Sequence, residues 1–529
     1  MKFDLVRYYH TLKYLRFRQI FYQVYYRLRK KFRSLIGFSY SFNYDKEGIL
    51  LALRKSPSKD KSLIYREFCF LNKRKTFTNQ IDWNYSEYGM LWAYHLNYME
   101  YLLQEDMDKE RGLGLIYEFI GNIGNNEVGI DPYPISLRGI NWIKFISKYK
   151  ISNKQIDSNL YSQYKILLNS LEYHLMGNHL LENAFSLLFG AFYFQDNQMY
   201  KKSQKLLFRE LNEQILEDGG HFELSPMYHQ IILERLLDSI DLVQNNSVFK
   251  HQRLLLNYLK EKCEKMFGWL NNITFSNGEI PHINDSTNGM SLTTNQLKEY
   301  GERLDLKTDI NINQLSNSGY RKFKTNSYEC IVDTGQIGSD YIPGHAHADT
   351  LNFVLHCNGK PFLVDTGIST YEKNQRRSLE RGTSSHNTVT LDNKNSSDVW
   401  GGFRVGKRAK TFIHEDKDNF ILASHNGYAR YGIIHTRKWN FKENEIIIED
   451  KCEGKTDFNA LAHFHFDHDL NPALDDDTIY IGDKLFMKFQ DPVRVELLQY
   501  YQALGFNNLK ESYKVVVGFN EKLITKIYC

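Results

Sequence analysis

A histidine-rich segment in the second half of the chain holds the side chains best suited to chemistry. It reads Gly344-His345-Ala346-His347-Ala348-Asp349, and Asp365 and His386 follow it after short intervals. Imidazole and carboxylate groups are costly to bury without partners, because each must give up its hydration. The cluster therefore indicates a site for a metal ion or for a charged substrate.

A second polar group lies in the first half, at Asn178-His179. On a helix, His179 shares a face with Glu182 and Asn183, which follow at the i+3 and i+4 positions. Asn178 stands where this helix would begin and could cap it. Two interpretations remain open here: a catalytic string, or an asparagine cap beside a surface His–Glu pair.

A third polar string covers residues 218–229. It opens with Asp218-Gly-Gly, which predicts a turn, and Ser225-Pro226 predicts the start of a helix. Tyr228 then falls in the first turn, where its hydroxyl can face a cleft. A single tyrosine at such a place is usually a packing residue, but the concentration of polar groups favours a site.

The elements that must position these residues differ between the two halves. Apolar positions recur with a helical period in residues 180–191 and 231–243, and helical segments continue to about residue 310. Later runs are short and rich in β-formers: 328–332, 351–356, 386–391, 420–423 and 445–449. We expect a helical array or toroid over 41–315 and an antiparallel β-sandwich over 316–529, with the binding cleft between them.

Residues 1–40 form a separate basic, aromatic segment. Residues 1–34 contain ten Lys or Arg and one acid, Asp4. An amphipathic helix of this type either lies on a membrane surface or an acidic partner, or packs its aromatic face on the protein body. The chain has neither an apolar run long enough to span a membrane nor a visible signal peptide, so a cytoplasmic or inner-membrane-associated location is expected.

The bulk composition excludes some classes of protein. The net charge of +4 is too small to indicate nucleic-acid binding, and 42% apolar with 25% charged residues is typical of a globular protein. The six cysteines are scattered without a CxxC pair, which predicts neither a disulfide framework nor a thiolate zinc site. A reducing compartment fits this pattern.

Taken in order, these strings resemble the heparinase II/III-type polysaccharide lyases. The resemblance runs over most of residues 80–410, and known members combine an α/α toroid with an antiparallel β-sandwich. The strings that carry it are Arg138 in Pro134–Trp142, Asn178-His179 with Glu182, Glu223–His229, Asp285 in Pro281–Asp285, His345-Ala-His347-Ala-Asp349, Leu363-Val-Asp365-Thr-Gly367, Arg381, His386–Val389 and Trp400–Arg404.

The resemblance implies a lyase that cleaves an acidic, uronate-containing polysaccharide by β-elimination. Asn178, helped by His179, would neutralise the uronate carboxylate, and Tyr228 and His345 would act as base and acid. Arg138, Glu182, His229 and Arg381 would contact substrate. His347, Asp365 and His386 would bind a metal, with Zn²⁺ suiting two imidazoles and one carboxylate and acting mainly as a structural ion. No organic cofactor is implied.

Three other functions compete with this hypothesis. A glycoside hydrolase on a similar toroid needs two carboxylates beside the sugar bond, for which Glu182, Asp218, Glu223 and Asp285 are available. A non-catalytic glycan-binding or assembly factor would need none of the catalytic residue types.

The third competitor is a metallo-β-lactamase-type hydrolase. His463-Phe-His465-Phe-Asp467-His468 fits the HxHxDH pattern of those enzymes. However, the 61 residues after His468 contain no histidine that could complete a metal pair. We interpret this string as a half-exposed strand of the sandwich.

Overall fold

The computed structural model describes residues 5–312, 316–454, 458–482 and 485–529. Helices occupy the first half and strands most of the second. The α-helices within the described residues are α1 Leu5–Leu12, α2 Phe17–Leu35, α3 Met90–Tyr98, α4 Lys109–Asn122, α5 Pro132–Tyr149, α6 Lys154–Leu168, α7 Gly177–Phe194, α8 Asn197–Gln214, α9 Pro226–Asn245, α10 Gln252–Ile273, α11 Thr294–Arg303 and α12 Gln375–Glu380.

All the strands pair in antiparallel fashion. Their bounds are β1 Leu63–Ile64, β2 Glu67–Phe70, β3 Lys73–Thr76, β4 Tyr320–Lys324, β5 Tyr328–Asp333, β6 Phe353–Cys357, β7 Lys360–Leu363, β8 Val389–Leu391, β9 Val399–Trp400, β10 Arg404–Val405, β11 Thr411–Lys417, β12 Phe420–His425, β13 Ile433–Phe441, β14 Glu445–Gly454, β15 Ala460–His465, β16 Ala473–Asp475, β17 Thr478–Ile481, β18 Leu485–Gln490, β19 Arg494–Gly505, β20 Asn508–Phe519 and β21 Lys522–Tyr528.

Helices α3–α11 form an α/α toroid, as predicted. Helix α7 packs between α5 and α9, and every residue of α7 except His179 is buried. The sequence of α7 explains this central position. The helix is apolar on nearly every side, and such a helix is stable only when other elements bury its whole circumference. The inner helices therefore form a rigid support whose amino-terminal ends carry Asn178 and Tyr228.

The second half is the predicted antiparallel β-sandwich. One sheet has eight strands in the order β11-β12-β13-β14-β21-β18-β17-β16, and two sheets of four strands run β19-β20-β15-β8 and β4-β5-β6-β7. Cys357 and Cys529 form a disulfide between the end of β6 and the end of the described chain. The expectation of no disulfide is therefore wrong for this pair, because a separation of 172 residues gives no recognisable spacing.

Strand β15 corrects the interpretation of the second histidine-rich string. Both His463 and His465 lie on this strand, which runs between β20 and β8, and all of its residues are buried rather than half-exposed. His463 bonds the Thr390 hydroxyl at 2.9 Å, and His465 bonds the Asn387 side chain at 3.1 Å. Both imidazoles are thus part of the sandwich interior.

The boundary predicted near residue 315 falls at 313–315, outside the described residues. Helix α11 ends at Arg303 and β4 begins at Tyr320, so the change from helix to strand brackets it. The three-stranded sheet β1–β3 was not predicted inside the helical half. Strand β3, Lys73–Thr76, has no buried residue and gave no apolar alternation to detect.

Helices α1 and α2 of the N-terminal segment lie against both halves. The Gln19 amide donates to the carbonyl of Leu175 in the toroid and to that of Tyr341 in the second half. The Trp400 indole donates to the Thr11 hydroxyl at 3.2 Å. Within the described residues, no helix has both the length and the apolar character needed to cross a membrane.

Candidate active site

A cleft of about 680 Å³ lies where the toroid, the sandwich and the N-terminal helices meet. Four of the predicted catalytic residues line it. They are Asn178 and His179 from the start of α7, Tyr228 from the first turn of α9, and His345 from the loop between β5 and β6. The sequence therefore identified residues that the fold brings together from three distant segments.

Asn178 is held by a carboxylate and does not cap its helix. The N-cap of α7 is Met176, without a side-chain cap, which corrects the prediction for Asn178. The Asn178 amide nitrogen lies 3.2 and 3.0 Å from the two oxygens of Glu223. Gly177 has a φ of 55°, and a Cβ there would lie 3.1 Å from the Glu223 Oε1. Glycine thus lets the chain pass close to this carboxylate.

His179 pairs with Glu172, and this corrects the predicted pairing with Glu182. The His179 Nδ1 lies 3.0 Å from Glu172 Oε1, while Asn183 donates to the other oxygen at 2.9 Å. Burial works against the charged imidazole, but the Glu172 carboxylate raises the pKa of His179 above its usual value. His179 keeps 31% of its side chain exposed and lines the cleft, where the Glu172 carboxylate favours its charged form.

Tyr228 is positioned as predicted by the start of α9. The Ser225 hydroxyl accepts from the Tyr228 backbone N–H at 3.2 Å, and Pro226 occupies the first helical position. The Tyr228 ring lies 3.9 Å from the His345 ring between centroids, and its hydroxyl is 3.2 Å from that of Tyr371. Burial raises the pKa of Tyr228, so the phenol keeps its proton at neutral pH.

His345 is oriented by Asp285, a residue of the helical half. Its Nδ1 lies 2.8 Å from Asp285 Oδ2, and its Nε2 lies 3.6 Å from Glu223. Burial alone would raise the pKa of Asp285, but Arg377 and the two imidazole donors hold that pKa well below its usual range. Because an ionised carboxylate only accepts, the Nδ1 of His345 donates its proton to Asp285, and Nε2 is the nitrogen that faces Glu223.

Four residues predicted to bind substrate are instead buried supports. Arg138 is fully buried and donates to Gln163 and to the carbonyls of Asn97 and Gly129. Arg381 donates to the carbonyls of Ala346 and Gly402, and so braces the loop that carries His345. Neither guanidinium lines the cleft, because the N–H groups of both arginines donate to backbone carbonyls in the interior.

The other two substrate predictions are corrected in the same way. Glu182 is fully buried and accepts from Arg235 at 2.9 Å. His229 is fully buried, its Nε2 lies 3.0 Å from the Met266 carbonyl, and burial lowers its pKa to about 3. Their positions in the sequence placed Glu182 and His229 near the site, but those positions do not show whether a side chain points into the cleft or into the core.

The carboxylates that a glycoside hydrolase would need are all engaged. Glu182 is paired with Arg235, and Glu223 holds the Asn178 amide. Asp218 accepts from the backbone and hydroxyl of Ser318 at 2.7 and 2.8 Å. Asp285 accepts from Arg377, His345 and His347. All four candidates are buried, and none of them is among the residues that line the cleft, which argues against hydrolysis.

The predicted metal ligands lie beside this cluster. His347 Nε2 is 2.8 Å from Asp285 Oδ1, and His386 Nδ1 is 2.8 Å from Asp365 Oδ2. The two rings are 5.3 Å apart between centroids. The remaining nitrogens, His347 Nδ1 and His386 Nε2, and the Oδ2 of Asp349 are buried and have no hydrogen-bond partner among the described residues.

These orphaned atoms are of the types that bind metal ions, but three of them do not lie within 4.8 Å of one another among the described residues, and their set differs in one member from the prediction. Asp365 is already bonded to His386 and to the Asn352 amide, whereas Asp349 offers a carboxylate oxygen without a partner. Across the described parts of the chain, the one set of three ligand atoms gathered within 4.8 Å of one another is Asp467, His468 and Asp469, which lies elsewhere.

Sequence reasoning missed several residues that complete the site. Glu172 and Tyr371 were not singled out, and Glu223 was named in the resembling string Glu223–His229 and as a hydrolase carboxylate but was given no role in the lyase reaction. Arg377 pairs with both oxygens of Asp285 and is almost fully buried. Its only signal in the sequence is its position four residues before Arg381; in the structure Arg377 lies on α12 and Arg381 is the C-cap residue of that helix. Burial and pairing of this kind become visible only in three dimensions.

Comparison with known proteins gives the same family over both halves. A family model described as heparinase II/III N-terminus matches residues 138–310, and one described as heparinase II/III-like, C-terminal, matches residues 308–514. A heparin-sulfate lyase of Bacteroides stercoris is 26% identical over 325 residues, which cover 55% of this chain and 46% of that protein. A heparin-sulfate lyase of Pedobacter heparinus is 24% identical over 336 residues, covering 58% and 49%.

The chain thus spans about half the length of the curated relatives it matches. Solved structures support the fold. A heparinase III structure has a TM-score of 0.64 at 17% identity, covering 86% of this chain and 81% of its own. The heparan sulfate lyase HepC of Pedobacter heparinus has a TM-score of 0.57 at 17% identity, covering 88% and 81%. Because the two family models together match residues 138–514, this chain belongs to the heparinase II/III-like family.

Proposed function

We propose that this protein is a polysaccharide lyase that cleaves a uronate-containing acidic glycan by β-elimination. The observation that carries the proposal is the meeting of Asn178, His179, Tyr228 and His345 in one cleft. An amide and a cationic imidazole suit a carboxylate, and a phenol beside an imidazole supplies an acid and a base. The family relationship and the names of the relatives support the same reaction class.

The proposed reaction begins at the uronate carboxylate. The amide of Asn178 and the charged His179 donate to this group and stabilise the negative charge that builds on it as the C5 proton leaves. His345 Nε2 takes the C5 proton, because Nδ1 is held protonated by Asp285. The Tyr228 hydroxyl gives its proton to the departing C4 oxygen. The C4–O bond breaks and a C4–C5 double bond forms.

The names of the relatives support a narrower substrate class. Both curated relatives are named heparin-sulfate lyases, which supports a sulfated or unsulfated glycosaminoglycan-like substrate for this chain. A role in trimming or editing a surface polysaccharide during its synthesis also fits the basic N-terminal segment. A glycan of this kind would be the partner of the cleft, and no nucleic acid is involved in the proposal.

The proposal predicts an unsaturated product. We expect near-ultraviolet absorbance to rise when the purified protein is incubated with at least one member of a panel of uronate polysaccharides. The panel should include heparan sulfate, heparin, chondroitin, hyaluronan and alginate. Carboxyl-reduced versions of each polymer serve as matched controls, because they lack the group that Asn178 and His179 would neutralise. New reducing ends without absorbance would contradict elimination and favour hydrolysis.

We further propose that His347 and His386 hold a zinc ion together with the carboxylates of Asp349 and Asp365. When bound, such an ion would stabilise the loops that carry His345, because two of its ligands lie on them. The support is the pair of unpartnered imidazole nitrogens and the unpartnered Asp349 oxygen.

Metal analysis tests this site without relying on activity. We expect about one zinc per chain after purification without chelators, and loss of that zinc in His386→Ala. The control is His463→Ala, which removes a buried imidazole that bonds only the Thr390 hydroxyl among its described partners. Protein free of stoichiometric metal, or equal metal in both variants, would contradict the proposal.

A further inference from the structure

Helix α2 has one face against the protein and one face in solvent. The inner face is fixed by Gln19, which is 3% exposed, by Tyr22 packed on Tyr173, and by Tyr26, whose hydroxyl donates to the Leu171 carbonyl. Arg16 adds an ion pair with Glu213. The aromatic residues of α2 are therefore divided, since Tyr22 and Tyr26 contact the body while Phe17, Phe21 and Phe32 are at least half exposed.

The opposite face is a continuous apolar stripe. An α-helix turns about 100° per residue, so the stripe occupies roughly 80° of the circumference. Each of its side chains is at least half exposed, which is unusual for a contiguous set of large apolar groups. The stripe, called here the outer stripe, consists of Phe17 (82% exposed), Phe21 (51%), Val24 (51%), Leu28 (62%), Phe32 (61%) and Leu35 (85%).

Basic residues border the outer stripe on both sides. Arg27 and Lys31 lie on one flank, and Arg18 and Arg29 lie on the other, as helical spacing requires. Residues 5–36 contain nine Lys or Arg and no Asp or Glu. Helix α1 adds further exposed apolar side chains, including Leu5 and Tyr9. An apolar centre with cationic borders is the pattern of a helix that lies in a membrane interface.

We propose that the outer stripe of α2 docks on the surface of an anionic phospholipid bilayer. The apolar side chains would enter the region between headgroups and acyl chains, and the exposed Arg27 and Lys31 would meet lipid phosphates and carboxylates. Anionic lipids supply negative charge to a segment that has only basic charged residues between positions 5 and 36. A second copy of the chain would instead bring two strongly cationic helices together without any acid in residues 5–36 to compensate.

The docking face and the cleft are opposite sides of the same segment. Leu12, Leu15 and Gln19 line the cleft, while the outer stripe faces away from it. Docking would therefore hold the cleft about one helix diameter, roughly 10 Å, from the lipid surface. A glycan emerging at a membrane would meet the cleft near its point of origin. The docking proposal itself does not depend on the reaction performed in the cleft.

Vesicle flotation with the whole chain tests the proposal. Probes are vesicles of phosphatidylcholine alone and of phosphatidylcholine with phosphatidylserine or phosphatidylglycerol. We expect at least fivefold more protein to float with anionic vesicles, and at least a tenfold loss of binding in the double variant Phe21→Ser, Leu28→Ser. The single variant Leu254→Ser is the control, because Leu254 is 67% exposed on α10, far along the chain from the stripe.

A charge-matched pair separates electrostatic from apolar attraction. Arg27→Gln with Lys31→Gln should weaken binding to anionic vesicles severalfold, and high salt should do the same. Lys201→Gln with Lys205→Gln removes two exposed charges with the same spacing on α8 and should have no such effect.

Two results would overturn the proposal. One is the absence of flotation with every vesicle type. The other is a concentration-dependent dimer, seen by sedimentation, that the Phe21→Ser, Leu28→Ser variant abolishes, because this would make a second copy the occupant. Equal melting temperatures of the variants and the wild-type protein would show that the fold is unchanged.

Discussion

Tyr228→Phe is expected to lose lyase activity by about 10²- to 10⁴-fold while keeping the fold. Removing one hydroxyl leaves the ring against His345 and deletes the proton donor proposed for the C4 oxygen. Because the missing interaction forms only in the transition state, kcat should fall far more than KM changes. The measurement is the initial rate of unsaturated product on the substrate identified from the panel.

Tyr371→Phe provides the matched control for that variant. The Tyr371 hydroxyl lies 3.2 Å from that of Tyr228. Tyr371→Phe therefore removes the same chemical group, but from the neighbour of the proposed proton donor instead of from the donor itself. We expect a loss of tenfold or less. Wild-type activity in Tyr228→Phe would refute the assigned acid, and equal large losses in both variants would show that the pair acts as one unit.

Asp285→Asn is expected to damage both stability and activity. The carboxylate accepts from Arg377, His345 and His347, all within the interior. Removing one partner of a buried ion pair costs about 3–5 kcal/mol, because the other charge is left uncompensated. Asparagine keeps one accepting oxygen for the donors of three residues, so His345 would also lose the charged acceptor that holds its tautomer. Denaturant unfolding and product formation below the melting transition measure the two effects separately.

The control is Asp450→Asn, which removes a similar buried aspartate from the sandwich. Asp450 accepts from Arg437 at 2.7 and 3.0 Å and from His435 at 2.7 Å, and it does not line the cleft. It should lose comparable stability but retain activity in the folded fraction. If Asp285→Asn behaved in the same way, Asp285 would be a structural residue without a part in positioning His345.

The stability contributed by Asp285 has a defined pH range. Its pKa is lowered in the folded protein, so the contribution is complete above the unfolded value of about 3.9 and disappears as pH falls through the folded value. Changes of pH around neutrality therefore leave this part of the stability untouched. His179 behaves in the opposite sense, because its pKa is raised in the folded protein: its contribution to stability is complete below the unfolded value of about 6.5 and is lost as pH rises through the folded value.

The sequence predicted the fold, and it named four side chains that the structure brings into one cleft, because both depend on local signals. Periodicity changes from helical to alternating between α11 and β4, and Ser225-Pro226 starts α9 as expected. The order of the polar strings located Asn178, His179, Tyr228 and His345. Each of these signals is contained within a few residues, so a linear reading detects it.

The failures concern the direction in which a side chain points and the partner that it meets. Arg138 was predicted to bind an anionic sugar, but its guanidinium donates to the buried carbonyls of Gly129 and Asn97, which lie 9 and 41 residues away in the chain. Glu172, which raises the pKa of His179, lies seven residues before it in a loop. The Cys357–Cys529 pair is 172 residues apart. Tertiary packing determines which partner each of these side chains meets, and a local sequence pattern does not contain that information.

The contacts of Asp285 also bear on how the molecule can be divided. This carboxylate belongs to the helical half, yet its three side-chain partners, His345, His347 and Arg377, all come from the second half. Neither half expressed alone would contain a complete site, however well it folded. Mixing the two fragments should restore function only as fast as they associate. The proposed catalysis therefore requires both halves, and any change that separates them should abolish it.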